Sequence, residues 1–345
     1  MPKILNPVAA QRELLKGSAL VYLADQAVVT VSGEDRLTWL HSLLSQNIKN
    51  LAPGQSTQSL LLDPHGHVEQ LLNLVDDGQT TWIIVSGAAK DALLNWLSRM
   101  VFRMRVVIAD RSEDFAVVGS WGVALPKSEI TWSDSWKVTA AGGYRYGAVS
   151  SEPWDLHLDL VPLREFESLE SDASVHWASE AALDALRIAA HRPAFAEIDD
   201  KSLPHELDLL ASAVHLSKGC YRGQETVAKV HNLGHPPRRL VLLHLDGSGH
   251  LLPELGDFVV LAQDSEADLA ASPGLIKGRI TSVAQHHEMG PIALAVVARA
   301  VPVDATLIVV GKHEPIAATQ EVIVPPDAGK VANVPRPSLL MGGRK

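Results

Sequence analysis

Between Lys218 and Glu225 the chain reads Lys-Gly-Cys-Tyr-Arg-Gly-Gln-Glu, and Cys220 is the one cysteine among 345 residues. Lys218 and Arg222 stand two residues to either side of the thiol. Neighbouring cations favour thiolate over thiol, and a thiolate is the nucleophile. Gly219 and Gly223 let the backbone turn tightly and let a ligand approach. That pattern points to a reactive cysteine, with Cys220, Lys218 and Arg222 as its catalytic group. The competing reading is a small buried hydrophobe with both cations turned to water.

The other candidate chemistry is thinner. Among 15 histidines the close pairs are His65/His67 and His286/His287. Neither pair has a cluster of further ligands at metal-site spacing, so no metal is expected. There is no phosphate-binding Gly-Lys-Ser/Thr loop and no G-x-G-x-x-G after a strand. A single cysteine excludes an internal disulfide and a multi-cysteine metal site. Forty acidic against 30 basic residues give a net charge of -10, which argues against non-specific nucleic-acid binding. No apolar run reaches the ~18 residues of a membrane span, and the N-terminus lacks a signal-peptide core. The expectation is a cytoplasmic protein with a reduced thiol.

The elements that must position the thiol follow from periodicity. Residues 20–32 alternate as a strand, and Leu37, Leu40, Leu44 and Ile48 mark a helix face. Residues 58–75 read as a hairpin turning at Pro64-His65-Gly66. A strand (80–86), an amphipathic helix (88–102) and a strand (103–110) follow. Residues 112–160 hold short strand-like runs with Trp and Gly, including 136–149, and 175–193 reads as a helix ended by Pro193. The stretch after Gln224 is consistent with helix or strand. From about residue 236 short strands with turns suggest a small barrel or sandwich. The order predicts an α+β fold with antiparallel pairs rather than a doubly wound parallel sheet. At 46% hydrophobic and 20% charged residues, the chain is globular and long enough for two or three domains.

The stretch 218–225 resembles the K-G-C-Y-x-G-Q-E motif of YgfZ-type folate-binding proteins, relatives of the glycine-cleavage T-protein (aminomethyltransferase). Residues 203–210 (LPHELDLL) resemble the family segment upstream of that motif. Residues 183–193 are similar to the T-protein helix carrying L-R-L-E-A-G, and 31–48 to its V-x-G-x-D segment. Residues 278–282 and 293–299 resemble stretches of its C-terminal barrel. The resemblance covers about residues 20–310. It implies a three-lobed ring: two α+β lobes with antiparallel sheets over residues 1–235, and a β-barrel over 236–324. The tail, 325–345, is expected to be disordered.

The departures are as informative. Glu69 and Gln70 stand where T-proteins carry an Asp pair, Ala189 replaces the glutamate of L-R-L-E-A-G, and Ser45-Gln46-Asn47 replaces T-N-D. Without a placed carboxylate, glycine-cleavage chemistry is not expected. The resemblance implies a tetrahydrofolate-binding protein, carrying tetrahydrofolate or a one-carbon derivative, that supports iron–sulfur cluster assembly or repair through Cys220. Glu206 is implied to face the pterin, and Arg187 and Arg222 are candidates for the folate tail. Tyr221, Gly223, Gln224 and Glu225 complete the expected ligand set. The expected partners are folate and iron–sulfur proteins or assembly factors, without direct nucleic acid or membrane contact. Two alternatives are a folate-dependent one-carbon transferase or demethylase, with Glu69 as the missing aspartate, and an indirect tRNA-modification factor.

Overall fold

The run expected as one strand over 20–32 is two strands in different sheets. Leu23 to Gln26 make a tight turn, closed by Gln26 N–H to the Leu23 carbonyl (3.2 Å). The computed structural model describes residues 3–126, 128–249, 251–264, 269–312 and 314–332. The first half contains β1 (Lys3–Ile4), α1 (Pro7–Leu15), β2 (Ala19–Tyr22), β3 (Gln26–Ser32), α2 (Arg36–Leu43), β4 (Ser56–Leu62), β5 (Val68–Asp76), β6 (Thr80–Ser86), α3 (Gly87–Met100) and β7 (Val107–Asp110). Next come β8 (Phe115–Trp121), β9 (Ile130–Ser133), β10 (Leu156–Pro162), α4 (Leu163–Ser171), β11 (His176–Ala178), α5 (Glu180–Ala189) and α6 (Gln224–Leu233). The last part holds β12 (Arg238–Leu245), β13 (Phe258–Leu261), β14 (Gly278–His286), β15 (Gly290–Ala298), β16 (Leu307–Val310) and β17 (Ile316–Val322).

These strands form three bodies, and the fold is α+β. A five-stranded antiparallel sheet has the order β4-β5-β6-β3-β7, with α2 and α3 packed on one face. A six-stranded sheet runs β1-β11-β2-β8-β10-β9, and strands β12–β17 close into a barrel. Antiparallel pairing dominates, but β11 pairs in parallel with both β1 and β2. Strands β1 and β11 are two and three residues long, too short for alternation to reveal them. In β12, Val241 and Leu243 fill the barrel, while Leu240 and Leu242 face the core shared by the two sheets. This period-two split packs the barrel on the other lobes.

Three local expectations need correction. Helix α2 stops at Leu43, and Leu44 is extended (φ -104, ψ 159), although Leu44 and Ile48 remain buried. Residues 175–193 are not one helix. Strand β11 precedes α5, and His191 (φ 58) turns the chain in the left-handed region before Pro193 is reached. Residues 136–149 form a loop rather than strands. The loop lies along residues 210–216 through Ala140 N–H to Ala211 O (2.8 Å) and Tyr144 N–H to Leu210 O (3.1 Å). Of the expected tail, residues 325–332 are laid against α6, with Val331 N–H on the His231 carbonyl (3.0 Å) and Ala328 buried. Residues 333–345 lie outside the described residues. No helix among the described residues is long and apolar enough to cross a membrane.

Candidate functional site

Two glycines fix the thiol loop. Gly223 (φ +81) starts α6, and a Cβ there would lie 2.6 Å from the Asp63 carbonyl oxygen and 2.9 Å from the Gly66 Cα. Gly66 (φ +84) turns the β4–β5 hairpin, and a Cβ there would lie 2.9 Å from the Thr226 Cβ. The hairpin tip and the start of α6 therefore touch backbone to backbone, as only glycine allows. Gln224, in the first turn of α6, donates from Nε2 to the Lys218 carbonyl at 3.1 Å and holds the loop closed.

The structure separates the two cations from the role expected of them. The buried Lys218 ammonium donates to the carbonyls of His41, Leu44 and Gln46, the last at 3.1 Å. It thereby satisfies the open C-terminal end of α2. Burial lowers its pKa to about 8. Its Nζ also lies 5.2 Å from the centre of the Tyr221 ring, itself buried, with its hydroxyl pKa pushed up by burial. Arg222 donates to Glu69 at 2.8 Å and stacks over Trp96 at 5.8 Å. Both cations are thus anchors of the loop rather than neighbours held on the thiol. Cys220 itself is free and exposed, which corrects the buried-hydrophobe alternative. Glu225 is exposed on the first turn of α6.

A separate cavity of about 170 Å³ lies between the two sheets and α5. The five-stranded sheet supplies Gln58, Leu71, Asn73 and Ile84; β9, β10 and the preceding loop supply Trp132, Trp154, Leu156 and Leu158. Helix α5 adds Glu180, Leu183, Asp184 and Arg187. Burial raises the pKa of Glu180, which accepts the Ala24 N–H at 3.2 Å. Two indoles, three amides (Gln26, Gln58, Asn73) and three carboxyls (Asp134, Glu180, Asp184) line a slot suited to a flat heteroaromatic ring with N–H donors.

Of the residues expected to hold a ligand, Arg187 alone lines this cavity. All three nitrogens of its guanidinium are engaged: Asp184 at 2.8 Å, Glu197 at 3.1 Å, the Arg192 carbonyl at 2.9 Å and Ser282 at 2.8 Å. Glu206 does not line it. Its carboxylate is 0% exposed, accepts the Leu203 N–H at 3.1 Å and pairs with Arg238 at 2.8 Å. A buried carboxylate requires such partners, which leaves none of its oxygens for a pterin. Tyr221, Gly223, Gln224 and Glu225 belong to the thiol loop, not to the cavity. Sequence reasoning missed Trp132 and Trp154; both sit in the 112–160 stretch, where tryptophans were the visible signal. Glu69 and Gln70 border a second, open groove of about 700 Å³ between β5 and α3. Phe195 borders both the cavity and the groove. Among the described residues no cluster of three or more His, Cys, Asp or Glu is arranged to hold a metal ion.

Residues 203–210 carry opposed titrations. His205 bonds the Val227 carbonyl through Nε2 (3.0 Å), while its Nδ1 is buried without a partner, and burial lowers its pKa to about 4. Asp208 accepts the Tyr146 N–H at 2.8 Å, and burial raises its pKa to about 6. The unfolded chain protonates the histidine first, near pH 6.5, so His205 costs stability as pH falls from about 6.5 to 4. The folded chain protonates Asp208 first, so Asp208 gains stability between about 6 and 4. His205→Gln, which keeps an N–H donor, should therefore gain on the parent by ~2–3 kcal/mol between pH 7 and 4.5. Urea unfolding at both pH values measures that difference; a pH-independent difference would show that His205 is not the group.

Comparison with known proteins fits this architecture. No family model matches the sequence. The tRNA-modifying protein YgfZ of Vibrio atlanticus (strain LGP32) is 26% identical over 239 residues, covering 68% of this chain and 72% of that protein. An iron-sulfur cluster assembly factor IBA57 homolog, mitochondrial, from Mycosarcoma maydis is 24% identical over 244 residues, covering 65% of this chain and 56% of that protein. Among solved structures, the glycine cleavage system aminomethyltransferase T from Bartonella henselae superposes with a TM-score of 0.69 at 16% identity, over 91% of this chain and 88% of that one. The three-body architecture and these similarities together give the chain a YgfZ-type, T-protein-like fold.

Proposed function

We propose that the chain is a tetrahydrofolate-binding factor that supports iron–sulfur cluster assembly or repair through Cys220. The observation that carries this reading is the exposed thiol on a loop braced from two sides, by Lys218 against α2 and by Arg222 against β5 and α3. A thiol presented outward on a rigid platform suits action on a partner. One cysteine falls short of the roughly four ligands a cluster needs, so the cluster belongs to the partner. The cavity between the sheets is the folate pocket in this reading, with Trp132 and Trp154 flanking the pterin and the Glu180 carboxyl as acceptor for its N–H groups. A relative named for tRNA modification and one named for iron–sulfur assembly fit a single role, if tRNA modification depends on iron–sulfur enzymes. A cytoplasmic compartment would keep the thiol reduced.

Cys220→Ala is expected to lower iron–sulfur enzyme activities in cells that depend on this chain, with the melting temperature unchanged. Tetrahydrofolate should quench the tryptophan fluorescence, and Trp132→Phe with Trp154→Phe should remove most of that quench. Normal enzyme activities in the Cys220 variant would refute the thiol role; unquenched fluorescence would refute the pocket.

One observation favours a second reading, a folate-dependent one-carbon transferase. Glu180 is a carboxyl of raised pKa inside the cavity, suited to proton transfer. Glu69, the residue expected in that role, lies outside the cavity and pairs with Arg222. Incubation with tetrahydrofolate and methylamine donors tests the reading; without methylene-tetrahydrofolate it fails.

A further inference from the structure

Helix α3 ends at Met100, and the chain leaves it through Phe102 at φ +44, in the left-handed region. A bulky side chain is strained there, and glycine would make the same turn without cost. Phe102 is also 83% exposed, so burial does not offset the strain. Strain combined with an exposed aromatic points to a role outside the folded chain itself. Arg99 and Arg103 are exposed, and neither joins an ion pair among the described residues. Arg105, by contrast, is tied to Asp35 and Glu34.

This tip connects to the thiol loop. Arg99 borders the open groove beside Trp96, and the Trp96 indole carries Arg222, two residues from Cys220. Trp96 lies four residues, about one turn, before α3 ends at Met100, and Phe102 follows two residues beyond that end. The groove wall itself bears Asp63, Glu69, Asp199 and Asp200. Those carboxylates disfavour a polyanion running its length, as does the net charge of -10. A folded partner needs only to match the guanidiniums at the rim.

We propose that Phe102, Arg99 and Arg103 form the docking surface for an acidic protein partner, one offering an apolar pocket edged by carboxylates. Docking there places the partner beside Trp96, whose indole carries Arg222, two residues from Cys220. The proposal rests on the reading of Cys220 as the working thiol, and names the partner of that same site. Charge complementarity identifies the occupant, and the exposed aromatic supplies the central anchor.

The test uses the full chain in cells that depend on it, with iron–sulfur enzyme activity as readout. Phe102→Gly, which relieves the backbone strain, should keep or raise the melting temperature. Phe102→Gly and the Arg99→Glu/Arg103→Glu double variant should both lower activity to the level of Cys220→Ala. Full activity in both, with Cys220→Ala defective, overturns the docking surface and leaves the thiol reading intact. Full activity in Cys220→Ala overturns the thiol reading and the docking proposal with it. A fluorescein-labelled single-stranded RNA supplies the other arm. Tight binding to the parent that the double variant loses would make this a nucleic-acid surface and overturn the protein partner.

Discussion

Glu206→Ala is expected to lower the unfolding free energy by about 3 kcal/mol, the range for removing one side of a buried ion pair. The carboxylate is fully buried and serves two groups at once, the Leu203 N–H and the Arg238 guanidinium. Its removal leaves a buried N–H unpaired and weakens the tie between residues 203–207 and the first barrel strand. Arg238 retains Asp199, which keeps the loss from the top of the range. Glu206→Gln keeps an acceptor for both groups and should cost about half as much. Urea unfolding gives the size, and tetrahydrofolate titration of the folded variant separates structure from ligand contact. Unchanged stability with weakened tetrahydrofolate binding would show that the carboxylate faces the ligand after all.

Lys218→Met is the second large effect, with an expected loss of about 2–4 kcal/mol. Methionine matches the stem of lysine but donates nothing, so the carbonyls of His41, Leu44 and Gln46 lose their shared donor. Each buried carbonyl left bare carries its own desolvation penalty. Because the same ammonium pins the thiol loop to α2, Cys220 should also react faster with iodoacetamide as the loop loosens. Lys218→Arg should not restore stability, since a planar fork cannot converge on three carbonyls as an ammonium does. Parent-like stability and alkylation rate in Lys218→Met would remove the anchor from the account.

The hairpin at Pro64-His65-Gly66 and the run of short strands after residue 236 were legible in the sequence because alternation and turn residues are local signals, and the resemblance chose a barrel over a sandwich. The cysteine motif was legible as a motif, and its glycines proved to be a contact between two turns. What Lys218 does was not legible, because its Gln46 acceptor lies 172 residues away. Two cations flanking a thiol in sequence suggested activation; in space each found a better partner. The cavity escaped for a similar reason. Trp132 and Trp154 come together with Asn73 and Glu180 only once two sheets and a helix pack, and no spacing along the chain encodes that. Glu206 was singled out by resemblance, yet burial assigns it to Arg238.

The meeting of Gly66 and Gly223 carries a consequence for how this chain can vary. Beside the side-chain anchors of Lys218, Arg222 and Gln224, the thiol loop is placed by this main-chain contact, so its position depends on loop length and handedness as well as on side-chain identity. Substitutions at His65 or Glu225 leave that position unchanged. A one-residue insertion in the β4–β5 turn, or any side chain at either glycine, would move Cys220 relative to both sheets while every other residue of its motif stayed intact.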